Sequence, residues 1–177
     1  MSQLQNRPRA KDAAAPPQFP LRVGSIDVGS NAIRFLAAEF TSPTEYRALA
    51  ESRAPVRLGH EVFLSGRLAR ETMEAAVEAI AGFRGLMQEL GIEHYRAVAT
   101  SATRESRNGE EFVARVRRET EIDLEVVTGT EEARLVYEAV RAAIEKLSSL
   151  SYRQRVEQLG LREDRADVIL PAAMVYE

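Results

Sequence analysis

"GSIDVGSNAIRF", residues Gly24 to Phe35, joins two apolar runs through a short polar kink. A plain hairpin turn explains Gly29 and Asn31, because both residue types tolerate positive φ. It does not explain Asp27, which stands two residues before the turn in a stretch otherwise reading as a buried strand. The alternative is a loop whose backbone N–H groups and small polar side chains hold an anion, with the acid beside it. The kink leaves both readings open, and the rest of the chain has to separate them.

Bulk composition removes several function classes. The chain has 177 residues, 45% hydrophobic and 29% charged, which fits one soluble domain with a real core. No apolar run approaches the ~20 residues of a membrane span, and the N-terminus lacks the apolar stretch of a signal peptide. A cytoplasmic protein that engages no membrane is therefore expected. There is no cysteine, so disulfides and thiolate chemistry are excluded, and the two histidines, His60 and His94, are not paired at ligand spacing. A net charge of −3 offers no global attraction to a nucleic acid polymer. Of the 24 basic residues only Lys11 and Lys146 are lysine. Arginine suits bidentate recognition of phosphate, although a compositional bias explains most of these positions as well.

Along the chain, residues 1–20 combine proline, alanine and polar residues without periodicity and are expected to form a disordered tail. Apolar runs at Arg22–Val28 and Ala32–Phe40 fit an antiparallel pair, with a third strand over Tyr46–Arg57 and then a loop between Gly59 and Gly66. Met73, Val77, Ile80, Phe83, Met87 and Leu90 recur at helical steps, predicting a core-facing helix that stops before Gly91. "YRAVAT" reads as a strand, "GEEFVARVRRET" as a helix, "DLEVVTG" as a strand and "TEEARLVYEAVRAAIEKL" as a helix. Strands followed by strand–helix alternation predict an α/β fold with a mixed sheet flanked by helices. After Leu147 come a serine-containing linker, a charged stretch and a short apolar run.

Three loops fall where strands give way to turns or helices: Asp27–Asn31, "ATSATRE" at Ala99–Glu105 and "TGTEEAR" at Thr128–Arg134. Strand ends of an open α/β sheet are where ligands bind. The first loop offers backbone N–H groups with Ser30 and Asn31. The second offers Thr100, Ser101 and Thr103, then Arg104, which could clamp two phosphate oxygens. The third offers Thr130 as an N-cap, then Glu131 and Glu132. Each has a plainer explanation. Acids in a first helical turn complement the helix dipole, Arg104 could pair with Glu105 or Glu110, and Ser30 and Asn31 could simply end a strand.

"IDVGSNAIR", "VATSATRESRNGEEFVARV" and "VVTGTEEARLVYEAV" resemble, in order and spacing, three consecutive motifs of the exopolyphosphatase/guanosine pentaphosphate phosphohydrolase (Ppx/GppA) family. The resemblance runs from about Val23 to Val140. It implies an actin-like, ribonuclease-H-like fold and hydrolysis of a terminal phosphoanhydride in inorganic polyphosphate or pppGpp, with a divalent cation, usually Mg2+. Carried over by position, Asp27, Gly29, Ser30 and Asn31 form the first phosphate loop, Arg104 binds the phosphate chain, and Glu132 falls on the catalytic base. Orienting a water is the task phosphoryl transfer asks of such a group.

The family pattern next calls for a second phosphate loop, Asp-hydrophobic-Gly-Gly-Gly-Ser, yet the chain contains no Gly-Gly dipeptide. "RADVILPAAMV" instead resembles the segment that ends the family's second domain. The expected organisation is thus a tail (1–20), an actin-like first domain (21–147) and a short helical remnant of the second domain (148–177). Catalysis is expected to be crippled, leaving a catalytically silent phosphate-binding or interaction domain, or a gene fragment, as the alternative. An exposed domain interface would favour self-association, including a homodimer.

Overall fold

The computed structural model describes residues 5–6, 17–159 and 162. Its elements are β1 (Gln5–Asn6), β2 (Leu21–Val28), β3 (Ile33–Phe40), β4 (Tyr46–Ala54), α1 (Leu58–Ser65), α2 (Arg70–Glu89), β5 (His94–Ala99), α3 (Ser101–Glu105), α4 (Gly109–Thr120), β6 (Leu124–Val126), α5 (Gly129–Ser149) and α6 (Tyr152–Leu159). The chain divides between Thr128 and Gly129 into two compact units. Among the described residues no helix is long and apolar enough to cross a membrane.

In the first unit, alternation decides the sheet. Ile26 and Val28 of β2 and Ile33, Phe35 and Ala37 of β3 are buried, while Asp27 and Arg34 between them point to the opposite face. β2 pairs antiparallel with β3 from Leu21↔Phe40 to Val28↔Ile33, and β3 pairs antiparallel with β4. β5 then lies parallel to β2, with Val28 opposite Ala99, and β6 lies parallel to β5, with Ala99 opposite Val126. This mixed sheet, flanked by helices, has the actin-like, ribonuclease-H-like order β4–β3–β2–β5–β6, with the short β1 also paired to β5. Its consequence for function is that β2, β5 and β6 all end at one edge.

The core is the sheet face that carries Ile26 and Phe35. The α2 stripe of Met73, Val77, Ile80, Phe83 and Met87 packs there with Phe112 and Val116 of α4. Phe35 and Phe83 stack with ring centroids 5.2 Å apart. Each fully buried aromatic or branched side chain contributes roughly 1.5–3 kcal/mol by leaving water. Gly24 lets Met87 approach β2 closely, because a Cβ there would stand 2.9 Å from the Met87 sulfur. At the sheet's far end Glu39, only 8% exposed, is held between Arg22 and Arg47 at 2.8 Å each. Hydrogen bonds from Arg22 and then Arg47 hold its carboxyl below the usual carboxylate range.

Several expectations need correction. The stretch between Gly59 and Gly66 is helix α1, not a loop; Leu58 is fully buried, and Gly66 closes the helix at φ 70° by donating its N–H to Val62. "ATSATRE" is a loop only at its start, since Ser101–Glu105 form α3. Within the expected tail, Gln5–Asn6 pair parallel with His94–Tyr95. The expected remnant is described only through Leu159 and at Arg162, where its charged stretch includes α6. Residues 1–4, 7–16 and the apolar run after Arg165 lie outside the described residues.

Candidate phosphate-binding site

The first loop is a tight connection from Val28 to Ile33, closed by the Gly29 N–H donating to the Ala32 carbonyl at 3.1 Å. That N–H is therefore spent on the turn. Ser30 is fixed from two directions. The Gly59 N–H of α1 donates to the Ser30 carbonyl at 2.8 Å, and the Ser30 hydroxyl shares a 3.0 Å hydrogen bond with the Ser101 hydroxyl of α3. The Thr100 N–H donates to Val28 at 3.2 Å, so the strand ends carrying the two loops are joined by backbone as well.

Asp27 sits cross-strand from Arg34, whose guanidinium approaches its carboxylate at 3.4 Å, with both side chains substantially exposed. An arginine beside the acid makes this edge less hostile to an anion than the sequence of the loop suggests. Asn31 is an exposed loop residue. Arg104, near the end of α3, donates to the Val127 carbonyl at 2.9 Å and meets Glu105 at 3.4 Å. The predicted Glu105 pairing thus exists, but it is long and Glu105 is largely exposed, where such pairs contribute little. The bond to Val127 fixes the guanidinium against the end of β6.

Thr103 does not belong with these groups. It is 2% exposed, and its hydroxyl finds no hydrogen-bond partner among the described residues. α3 turns Ala102 and Thr103 inward, whereas Thr100, Ser101 and Arg104 stay partly accessible and Glu105 is exposed. Ser101 and Gly59 are the residues whose role the sequence concealed. Leu58 and Val62, four apart and followed by Gly66, were the available sign that Gly59 starts a helix instead of a loop.

Glu132 lies in the second unit, in the first turn of α5. The helix begins at Gly129, so Thr130 is inside its first turn and not a cap. Its neighbour Glu131 chelates Arg134 with two 2.8 Å bonds, and Arg134 reaches on to Glu138. The hydrogen bond from Glu131, then the charges of Glu131 and Glu138, raise the Arg134 pKa further above the arginine range. Glu131 is accounted for by this ladder. Glu132 instead shares a helix face with Val136, Tyr137 and Val140, which borders a cavity of about 550 Å³.

The described residues contain no group of three His, Asp or Glu side chains placed to hold a metal ion. Magnesium is often held by one or two carboxylates together with substrate phosphates and water.

A model of the Ppx/GppA phosphatase family matches residues 41–145. The chain belongs to the Ppx/GppA phosphatase family. It is 31% identical over 121 residues to exopolyphosphatase 1 of Mycobacterium leprae, covering 68% of this chain and 36% of that protein. Among solved structures it is similar to the Aquifex aeolicus Ppx/GppA family member, with a TM-score of 0.66, 34% identity, and 71% of this chain and 40% of that chain covered. An exopolyphosphatase from Cytophaga hutchinsonii is similar at a TM-score of 0.62 and 31% identity, with 64% and 36% covered. The chain therefore spans well under half of the Ppx/GppA relatives it matches. The matched span contains the Ala99–Glu105 and Thr128–Arg134 motifs, whereas Gly24–Phe35 lies outside it.

Proposed function

We propose that this chain is a phosphate-gripping domain of a Ppx/GppA phosphoanhydride hydrolase. The substrate is a phosphate chain, either inorganic polyphosphate or pppGpp. The observation that carries the reading is the Ser30–Ser101 bond, which ties the Asp27–Asn31 loop to the helix bearing Arg104 at one edge of the sheet. The loop's hydroxyl and amide groups and the Arg104 guanidinium are complementary to phosphate oxygens. Exopolyphosphatase is also what two of the similar proteins are called.

In this reading Gly29 shapes the loop by closing its turn, Ser30 and Asn31 hold a phosphate, Asp27 lies beside it with its charge offset by Arg34, and Arg104 clamps the chain. Glu132 is the carboxylate that orients the attacking water. Phosphoryl transfer depends chiefly on positioning and charge stabilisation, so a cleft enzyme needs donors on both sides of the transferred group. The 177 residues contain no Gly-Gly dipeptide and hence no second loop of the family type. That observation favours a second reading for the chain by itself, a cytoplasmic phosphate-binding domain with little or no turnover. Losing one preorganised donor costs ~2.7–4 kcal/mol, a factor of 10²–10³ in rate, and a whole loop costs at least as much.

Phosphate release from polyphosphate and from pppGpp by the purified chain separates the two readings. Slow release abolished by Glu132→Gln supports the hydrolase. Binding without release supports the silent domain. Release untouched by Glu132→Gln removes the glutamate from the mechanism. Turnover by a dimer but not by the monomer assigns the absent donors to a second copy of the chain.

A further inference from the structure

The Ser30–Ser101 hydroxyl pair has a direction that the ligand must set. Two hydroxyls 3.0 Å apart share one proton in their bond, and either can be the donor. If Ser30 donates to Ser101, it has no proton left for an anion and turns lone pairs toward it. If Ser101 donates to Ser30, the Ser30 proton is released to point elsewhere. Phosphate oxygens are acceptors, so an occupied loop needs the second arrangement.

We infer that Ser101 is a positioning residue of the phosphate loop, whose hydroxyl donates to Ser30 and so turns the Ser30 proton onto a phosphate oxygen. The inference rests on the reading of Asp27–Asn31 as that loop. Three features make the relay specific. The Ser30 backbone is held by the Gly59 N–H at 2.8 Å, so the hydroxyl, not the chain, is what remains to be oriented. A Cβ on Gly59 would lie 2.8 Å from the Ser30 Cβ, which shows how closely α1 supports the residue from below. Ser101 itself opens α3, whose Thr100–Arg104 backbone bond of 3.0 Å fixes its position. Hydroxyls in a chain also polarise one another, so Ser30 becomes a better donor when it accepts from Ser101.

The test is a double-mutant cycle on the full chain, read by calorimetric titration with inorganic tripolyphosphate. Ser101→Ala is expected to weaken binding about three- to tenfold, the range of one net hydrogen bond. Ser101→Thr, which keeps the hydroxyl, is expected to stay within about twofold of the parent. In a Ser30→Ala background the Ser101→Ala change should have no further effect, because the group it orients is gone. An undiminished Ser101 effect in that background, or no effect of Ser101→Ala where Ser30→Ala does weaken binding, overturns the relay alone. Failure of Ser30→Ala and Arg104→Ala to weaken binding, or no binding by the parent chain, overturns the loop assignment and the relay with it.

Discussion

Asn108 links the α1–α2 connection to the start of α4, and its removal should be costly for a reason that can be worked from two distances. Its side-chain oxygen accepts from the Leu68 N–H at 2.8 Å and its amide nitrogen donates to the Leu68 carbonyl at 3.0 Å. Asn108 is 7% exposed and Leu68 3%, so water does not readily replace the amide. Asn108→Ala leaves one buried donor and one buried acceptor unpaired, each costing ~1–3 kcal/mol, for a total of about 2–6 kcal/mol if no water enters. That is a large share of the ~5–15 kcal/mol that holds an ordinary domain folded. Asn108→Asp is the sharper probe. It is nearly isosteric and keeps the acceptor for the Leu68 N–H, but it sets a carboxylate oxygen against the Leu68 carbonyl. At neutral pH it should be at least as destabilising as the alanine variant despite its better shape. Urea unfolding followed by circular dichroism measures both. A loss below ~1 kcal/mol for Asn108→Ala, or an aspartate variant clearly more stable than the alanine one, would refute the hydrogen-bond argument.

Glycines in this fold should respond in opposite directions. Gly82 and Gly85 lie within α2 with no neighbouring atom near an added Cβ, so alanine at either should stabilise by ~0.5–1 kcal/mol. A Cβ on Gly109 would lie 2.1 Å from the Thr103 carbonyl, so Gly109→Ala must force α4 off α3 at a cost of about 1–3 kcal/mol or more. Thermal unfolding of the three variants decides whether the packing is as described. Acid stability tests the Glu39 clamp. Because the folded pKa is lowered, the carboxylate stabilises the fold above the usual glutamate value of about 4.3 and that contribution is lost as pH falls through the lower, folded value. The difference in melting temperature between the parent and Glu39→Gln should therefore shrink on acidification; a difference independent of pH would contradict the ion pairs.

Strong periodicity was readable wherever one face of an element meets the core. The α2 stripe and the two strands around the kink follow from apolar spacing alone, and "GEEFVARVRRET" coincides with α4 because Gly109 opens it and Thr120 ends it. The short elements were not readable in the same way. α1 spans eight residues and leaves Phe63 and Leu64 exposed, so its pattern is too weak to outvote the flanking glycines. α6 has a legible start signal in Ser151 and Gln154, three residues apart. Ser151 and Gln154 form a reciprocal cap, the Ser151 N–H donating to the Gln154 side chain at 2.9 Å and the Gln154 N–H to the Ser151 hydroxyl at 3.3 Å. In the site, residue types announced the chemistry, but only the fold could show which hydroxyls face outward. Thr103 and Ser101 are two residues apart and equally polar, and burial alone separates them.

Titration of the purified chain with inorganic tripolyphosphate, beside Arg104→Ala, tests the central claim most directly. The guanidinium supplies a charge-assisted contact, so its loss should weaken binding by ~1.5–3 kcal/mol, about 10- to 150-fold. Arg104→Ala also loses the bond to Val127, so the melting temperature of the variant must be measured alongside to confirm that it is folded at the titration temperature. Saturable binding by the parent chain with that loss in a folded variant is the predicted result. Equal affinity of the two proteins would make Arg104 a structural tie to β6 and contradict a phosphate site at this edge of the sheet.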